Sequence, residues 1–361
     1  MRTKFYKTID FYITRKFLGT FFYAIALILS IAIVFDFSEN LDEFLSKDLP
    51  AKEIIFDYYL NFIPYFANLF SPLFTFIAVI YFTSKMAYNT EIIAILSSGV
   101  SYKRLMRPYI VSAFILATFS FILGNYIIPP ANKTMNEFRQ KNIDNVRFTA
   151  ETNIHQQIEP GVYVYMRSFG SGNIGSGFAL EKFDGSKLVE KITAPNIRWM
   201  ADSSKWRIDN YSRRILYDDH EELSKGNRLD TMLNMDPSMF KTEKNEMESF
   251  TTPALNAEIR SMKMRGVRTV EWEIEKHKRI AGPFSAFILT LIGAGLASRK
   301  IKGGLGFHLG LGLLLSFSYI LFMQVSTVFA ISGNTPPLLA VWIPNILYSV
   351  IAVFVYKWAA R

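Results

Sequence analysis

The chain has 361 residues, half of them hydrophobic, a formal charge of +9 and no cysteine. Zero cysteine excludes disulfides, thiol catalysis and Cys-ligated zinc or iron–sulfur sites. The positive charge does not point to nucleic acid, because many Lys and Arg residues flank long apolar runs, where membrane topology is the simpler account.

A helix needs about 20 apolar residues to cross the hydrocarbon core. The first uncharged run, between Lys16 and Asp36, has 19 residues. It is followed by Asp36-Phe37-Ser38-Glu39, not by a small-residue cleavage site, so it reads as a retained first membrane helix. The next runs have 27 residues between Asp57 and Lys85, 25 between Arg107 and Lys133, and 19 between Arg279 and Arg299. The last, between Lys302 and Lys357, has 54 residues and divides at Ser332-Gly333-Asn334-Thr335-Pro336-Pro337. Six helices are expected, three on each side of a polar middle.

Flanking charge orients them. Arg2, Lys4, Lys7, Arg15 and Lys16 precede helix one; Lys85, Lys103, Arg104 and Arg107 lie between helices two and three. Arg299, Lys300 and Lys302 follow helix four, and Lys357 and Arg361 follow helix six. All fall on one side, which places both termini in the cytoplasm. The opposite side receives the acidic link 36–57, with seven acids against two lysines, and the 147 residues from Lys133 to Arg279. Lys276, Lys278 and Arg279 depart from the rule, at the outer face.

From about residue 148 the period changes to two. Val162-Tyr163-Val164-Tyr165-Met166 alternates, as do 188–192 and 205–208. Breakers stand at Glu159-Pro160-Gly161, Gly170 to Gly177, Asp184-Gly185 and Ala194-Pro195-Asn196. This spacing predicts an all-β sandwich or incomplete barrel. Residues 218–250 are polar and poorly patterned, with room for a loop, and 254–279 read as helix returning to the membrane. The expected architecture is an α-helical integral membrane protein with an inserted β domain. Residues 1–132 hold helices one to three, 133–279 the outer domain and connecting helix, and 280–361 helices four to six.

Catalytic signatures are missing. The glycine cluster 170–177 lacks the Lys-Ser/Thr of a phosphate loop, and no Walker A, HExxH or G-x-S-x-G pattern occurs. His155, His220, His277 and His308 are not paired as metal ligands. The membrane helices carry almost no ionisable groups of the kind that ion-coupled carriers use. No cofactor or catalytic residue is expected, and energy for transport would come from a partner.

Two segments carry a resemblance. One runs from Glu91-Ile92-Ile93-Ala94-Ile95-Leu96-Ser97-Ser98-Gly99-Val100-Ser101 to Arg104 and Arg107-Pro108. The other is Pro336-Pro337-Leu338-Leu339-Ala340-Val341-Trp342-Ile343-Pro344-Asn345. With Tyr12-Ile13-Thr14-Arg15, they resemble the lipopolysaccharide export permease family LptF/LptG (YjgP/YjgQ) over essentially the whole chain. The resemblance implies an inner-membrane transport subunit rather than an enzyme, with a periplasmic β-jelly-roll. Its expected partners are a homologous permease subunit, two copies of the cytoplasmic ATPase LptB, LptC, a periplasmic bridge and lipopolysaccharide, with no nucleic acid. The lipid would be extracted from the outer leaflet of the inner membrane and passed toward the outer membrane. The alternatives are a lipoprotein-releasing permease, disfavoured by its usual four helices, and a membrane-anchored envelope scaffold.

Residue roles follow from both readings. Segment 88–101 is a short cytoplasmic helix with Thr90 as N-cap and Gly99 as C-cap residue, and its isoleucines and Leu96 give an apolar side suited to docking. By resemblance Glu91 is the acidic contact to the ATPase, with Ala94, Gly99, Ser101 and Arg104 in the same motif. The plain alternative for Glu91 is a solvated acid at a helix N-terminus. Gly303, Gly306 and Gly310, beside Gly304 and Gly312, form a small-residue face for a subunit interface or gate, or for packing inside the monomer. Lys276, Lys278 and Arg279 are candidate contacts for lipid phosphates, or snorkelling residues. Pro64, Pro72 and Pro344 are expected to kink or cap helices, and Trp342 to mark the outer end of helix six. Tyr163, Tyr165, Phe178, Phe183, Trp199 and Trp206 either line an acyl groove or form the β core. At the outer end of helix one the chain has Asp36, Glu39, Asp42 and Glu43, with Lys47 further on, in place of the lysines of some family members.

Overall fold

The computed structural model describes residues 8–143, 151–170, 172–240, 246–299 and 304–360. They form two units. One holds the apolar helices and residues 247–255; the other holds the sheet and residues 256–269.

Five helices in the first unit are long and apolar enough to cross a membrane. They are the first span Thr8–Glu39, the second Ala51–Tyr88, the third Tyr102–Asn142, the fifth Gly306–Ile331 and the sixth Pro337–Ala359. The fourth span is a bent pair, Val270–Ala281 and Phe284–Ala297, meeting at 52°. A helix filling the run between Arg279 and Arg299 was expected; only 14 residues of that run form the apolar helix. The cause is Gly282-Pro283. Proline has no N–H to continue the preceding helix, and it starts the next one instead.

The bundle is organised by i, i+4 stripes. Ile13, Phe17, Phe21, Ile25 and Leu29 of the first span are buried, while Tyr23, Val34 and Phe35 on other faces are exposed. Exposed apolar side chains are what a lipid-facing surface requires, and internal contacts then depend on close packing. Phe17 stacks on Phe82 with ring centres 5.5 Å apart, and Phe82 on Tyr109 at 5.4 Å. A Cβ at Gly293 would run into Val79, and one at Gly312 into Ile80. Those two glycines let the fourth and fifth spans close onto the second. Pro64 and Pro72 both lie inside the second span.

The second unit contains one antiparallel sheet of six strands in the order of the chain. They are β1 Glu151–Glu159, β2 Val162–Gly170, β3 Ile174–Asp184, β4 Lys187–Met200, β5 Lys205–Leu216 and β6 Glu221–Thr231. The domain is all-β as expected, but its strands follow one another as a meander, without Greek-key crossovers. Register sets a core row: Val164 pairs with Leu180, and Leu180 with Ile192. Phe178 and Trp206 are fully buried on this face, and the Trp206 Nε1 donates to the Met235 carbonyl at 2.9 Å. Trp199 packs against that core, whereas Tyr163 is exposed on the other face, where Tyr165 lies against His155.

The poorly patterned stretch 218–250 contains β6, a mostly exposed edge strand whose charged side chains guard its free edge, followed by irregular chain. One local reading is corrected. The expected break at Ala194-Pro195-Asn196 lies inside β4. Ala194 pairs with Phe178 and Asn196 with Ser176, so the exposed Pro195 interrupts no bond to β3 that the ladder makes. The turns at 159–161 and 184–185 are present as expected.

Candidate functional site

The segment after the second span folds as expected in part. A short helix runs Glu91–Ser97. Thr90 does not cap it with its side chain: at φ +62° its hydroxyl turns back and donates to the Asn89 carbonyl at 2.7 Å. The stop is as expected. Gly99 has φ +86°, and its N–H bonds the Leu96 carbonyl at 3.0 Å, the left-handed ending that glycine permits without strain. Ser101 begins the next turn, its Oγ accepting the Arg104 N–H at 3.3 Å.

The expected apolar side divides in two. Ile92 is 1% exposed and anchors the helix, while Ile93 and Leu96 are 52% and 37% exposed, with Ala94 exposed beside them. Glu91 is half-buried. It accepts from the Tyr12 hydroxyl at 3.1 Å and from Asn89 Nδ2 at 3.4 Å. Arg104 grips Asp10 in a fork, with Nη1 and Nη2 each 2.5 Å from one carboxylate oxygen, and Asp10 is 2% exposed. Such bidentate pairs fix geometry as well as charge. Asp10 and the role of Tyr12 escape sequence reasoning. The one signal is a carboxylate in an otherwise basic opening segment.

A second polar cluster joins the segment 247–252 to the second, third and fourth spans. Glu248 accepts from the Tyr65 hydroxyl at 3.4 Å and from Asn132 Nδ2 at 3.5 Å. Thr252 donates to Asn125 Oδ1 at 2.8 Å, inside a wide turn of the third span that precedes Pro129. Burial, then the neighbouring Glu275, push the Glu248 carboxyl up to about 7, against the pull of Lys278 and Arg279. Arg279 is 6% exposed and its guanidinium is committed inside the protein: to Glu275 at 2.8 Å, the Phe250 carbonyl at 2.8 Å, the Met247 carbonyl at 3.1 Å and Thr252 at 3.3 Å. That corrects its assignment as a lipid-phosphate contact. Lys276 and Lys278 are half-buried on the same helix.

The Pro336–Asn345 motif has a structural explanation. Pro336 in extended conformation and Pro337 start the sixth span. Pro344 cannot donate to the Ala340 carbonyl, and Ser326 Oγ supplies that bond at 2.5 Å. Asn345, 2% exposed, donates to the Ala281 carbonyl at 3.0 Å and accepts from the Tyr319 hydroxyl at 2.8 Å. One amide therefore ties the sixth span to the fifth and to the bend of the fourth. Trp342 packs on Phe284 at 5.2 Å, at one end of an apolar groove of about 540 Å³ between the fourth and sixth spans.

Gly306 and Gly310 are exposed, and a Cβ at either would meet nothing within 4 Å. Among the described residues nothing packs on their face, whereas Gly312 meets Ile80. Gly303 lies outside the described residues.

Five long apolar helices, the bent pair of the fourth span and an inserted six-stranded sheet are the build of a multi-pass membrane protein. A family model described as lipopolysaccharide export system permease LptF/LptG matches residues 11–358, and the chain belongs to that family. A comparison with curated proteins finds none that matches.

Proposed function

We propose that this permease of the lipopolysaccharide export system works as one of two homologous subunits, driven by a separate cytoplasmic ATPase, LptB, bound in two copies. The observation that carries the coupling is the divided helix Glu91–Ser97. Ile92 holds it to the bundle while Ile93, Ala94 and Leu96 face outward, and Tyr12 positions the Glu91 carboxylate. An amphipathic helix anchored on one side and apolar on the other fits a groove on a partner. Both termini then lie in the cytoplasm and the β domain in the periplasm, in line with the flanking Lys and Arg residues. Lipid leaves the outer leaflet of the inner membrane, passes to the β domain and continues to LptC and a periplasmic bridge. The open Gly306–Gly310 face of the fifth span is assigned to the subunit interface or gate, and Lys276 and Lys278 to lipid phosphate.

Affinity co-purification from detergent-solubilised membranes tests this. Wild type is expected to bring down an ATPase subunit and lipopolysaccharide, and folded Glu91→Lys to lose the ATPase. Retention of the ATPase by Glu91→Lys removes the helix from the coupling interface. Capture of neither component by wild type overturns the reading in favour of an envelope scaffold.

A further inference from the structure

Of the four histidines, His308 is buried in the fifth span, at 4% exposure. Its Nδ1 lies 3.0 Å from Ser84 Oγ, itself 3% exposed, near the end of the second span. The other ring nitrogen, Nε2, is buried without a hydrogen-bond partner among the described residues. An apolar residue would fill this position without that cost, since an unmet buried polar atom loses its hydration for nothing.

The surroundings give the pair a mechanical context. Ile80 stands one turn from Ser84, and Gly312 one turn from His308, and Gly312 has no room for a Cβ against Ile80. The antiparallel second and fifth spans thus meet at two successive points, a tight apolar notch and a hydrogen bond. Ser84 is four residues from Tyr88, where the second span ends, and the Glu91–Ser97 helix follows after Asn89 and Thr90. That link is stiff: Asn89 N–H bonds the Lys85 carbonyl at 3.0 Å, and Thr90 N–H the Ala87 carbonyl at 3.1 Å. The short helix thus follows the second span across two hydrogen-bonded residues, with Ser84 one turn before that span ends. On the far side of the fifth span, Gly306 and Gly310 are unobstructed among the described residues.

We propose that the Ser84–His308 bond is a coupling latch that passes movement of the Glu91–Ser97 helix to the fifth span, making His308 a positioning residue for export. A single hydrogen bond between two helices can break and re-form without unpacking them. The unused Nε2, on the opposite edge of the ring, gives the shifted arrangement a bonding position of its own. Coupling between sites needs such an element with two discrete arrangements. This rests on the reading of Glu91–Ser97 as the ATPase-docking helix.

The test uses the assembled transporter in proteoliposomes, measuring ATP hydrolysis and lipopolysaccharide release on the same preparation. Ser84→Ala removes one oxygen atom, and His308→Leu keeps bulk without the bond. Each is expected to hydrolyse ATP within about twofold of wild type while release per ATP falls about tenfold, the scale of ordinary intersite coupling. His308→Asn, whose amide reaches toward Ser84, is expected to restore part of the ratio. A wild-type ratio in both Ser84→Ala and His308→Leu overturns the latch, as does a parallel fall of hydrolysis and release in Ser84→Ala. If wild type itself shows no lipid-linked hydrolysis, the docking reading fails and the latch with it.

Discussion

Asn345 Nδ2 donates to the carbonyl of Ala281 at 3.0 Å, the residue at which the first half of the fourth span ends. The Gly282-Pro283 break removes regular helical partners just there, and a side chain 64 positions away supplies one. Because Tyr319 bonds the same amide, Asn345 holds three spans at one point.

Replacing Asn345 by leucine is therefore expected to destabilise the helical unit by about 1–2 kcal/mol, the upper range for interhelical hydrogen bonds in membranes. Denaturant unfolding in detergent micelles measures it. Tyr319→Phe is expected to cost less, because the Ala281 bond survives. Equal costs for the two would show that the carbonyl at the bend finds another donor.

The Asp10–Arg104 fork invites a double-mutant cycle. A fully buried pair broken on one side costs about 3–5 kcal/mol. The Arg104 side chain is 23% exposed, so solvent screening reduces the expected cost of Asp10→Ala to about 2 kcal/mol. Arg104→Ala should cost more, because it strands the buried carboxylate. The double variant should lie well above the sum of the singles in stability. Additive losses would remove the pair as a unit.

Glu248 makes a pH prediction with a definite sign. Its folded-state pKa stands at about 7 against an ordinary 4.5, so the folded protein holds the proton more tightly than the unfolded chain. Its contribution to stability is complete below about pH 4.5 and is lost as pH rises through about 7. Glu248→Gln, which mimics the protonated acid, should match wild type in thermal stability at low pH and exceed it above neutrality. A constant difference across the range would show that Glu248 titrates normally.

Legibility followed the range of the interactions. Runs free of charge located every span, because hydrocarbon excludes charge over a whole helix length. The bend at Gly282-Pro283 was harder to read, since prolines at 64 and 72 sit inside a helix that continues through them. Strand alternation identified the centre of the sheet but not β6, which is exposed on both faces and so has no apolar period to show. Pro195 was read as a break, although at an exposed position of β4 it costs the sheet little. In the candidate site, the motif located Glu91 and Arg104, but not their companions. Tyr12 is 79 positions from Glu91 and Asp10 is 94 from Arg104, distances at which no local pattern speaks. Arg279 shows the opposite error: its charge suggested an external ligand, and only its four internal acceptors reveal a rivet.

The brevity of the fourth span's apolar helix has a consequence for its neighbours. That helix has 14 residues. It rises about 21 Å, against a hydrocarbon core of about 30 Å. Ser285, Ile288, Leu289, Ile292, Gly293 and Ala297 are buried, so most of its surface is turned to protein. An enclosed helix need not match the thickness of a bilayer, and the longer second and sixth spans packed on it carry that requirement instead.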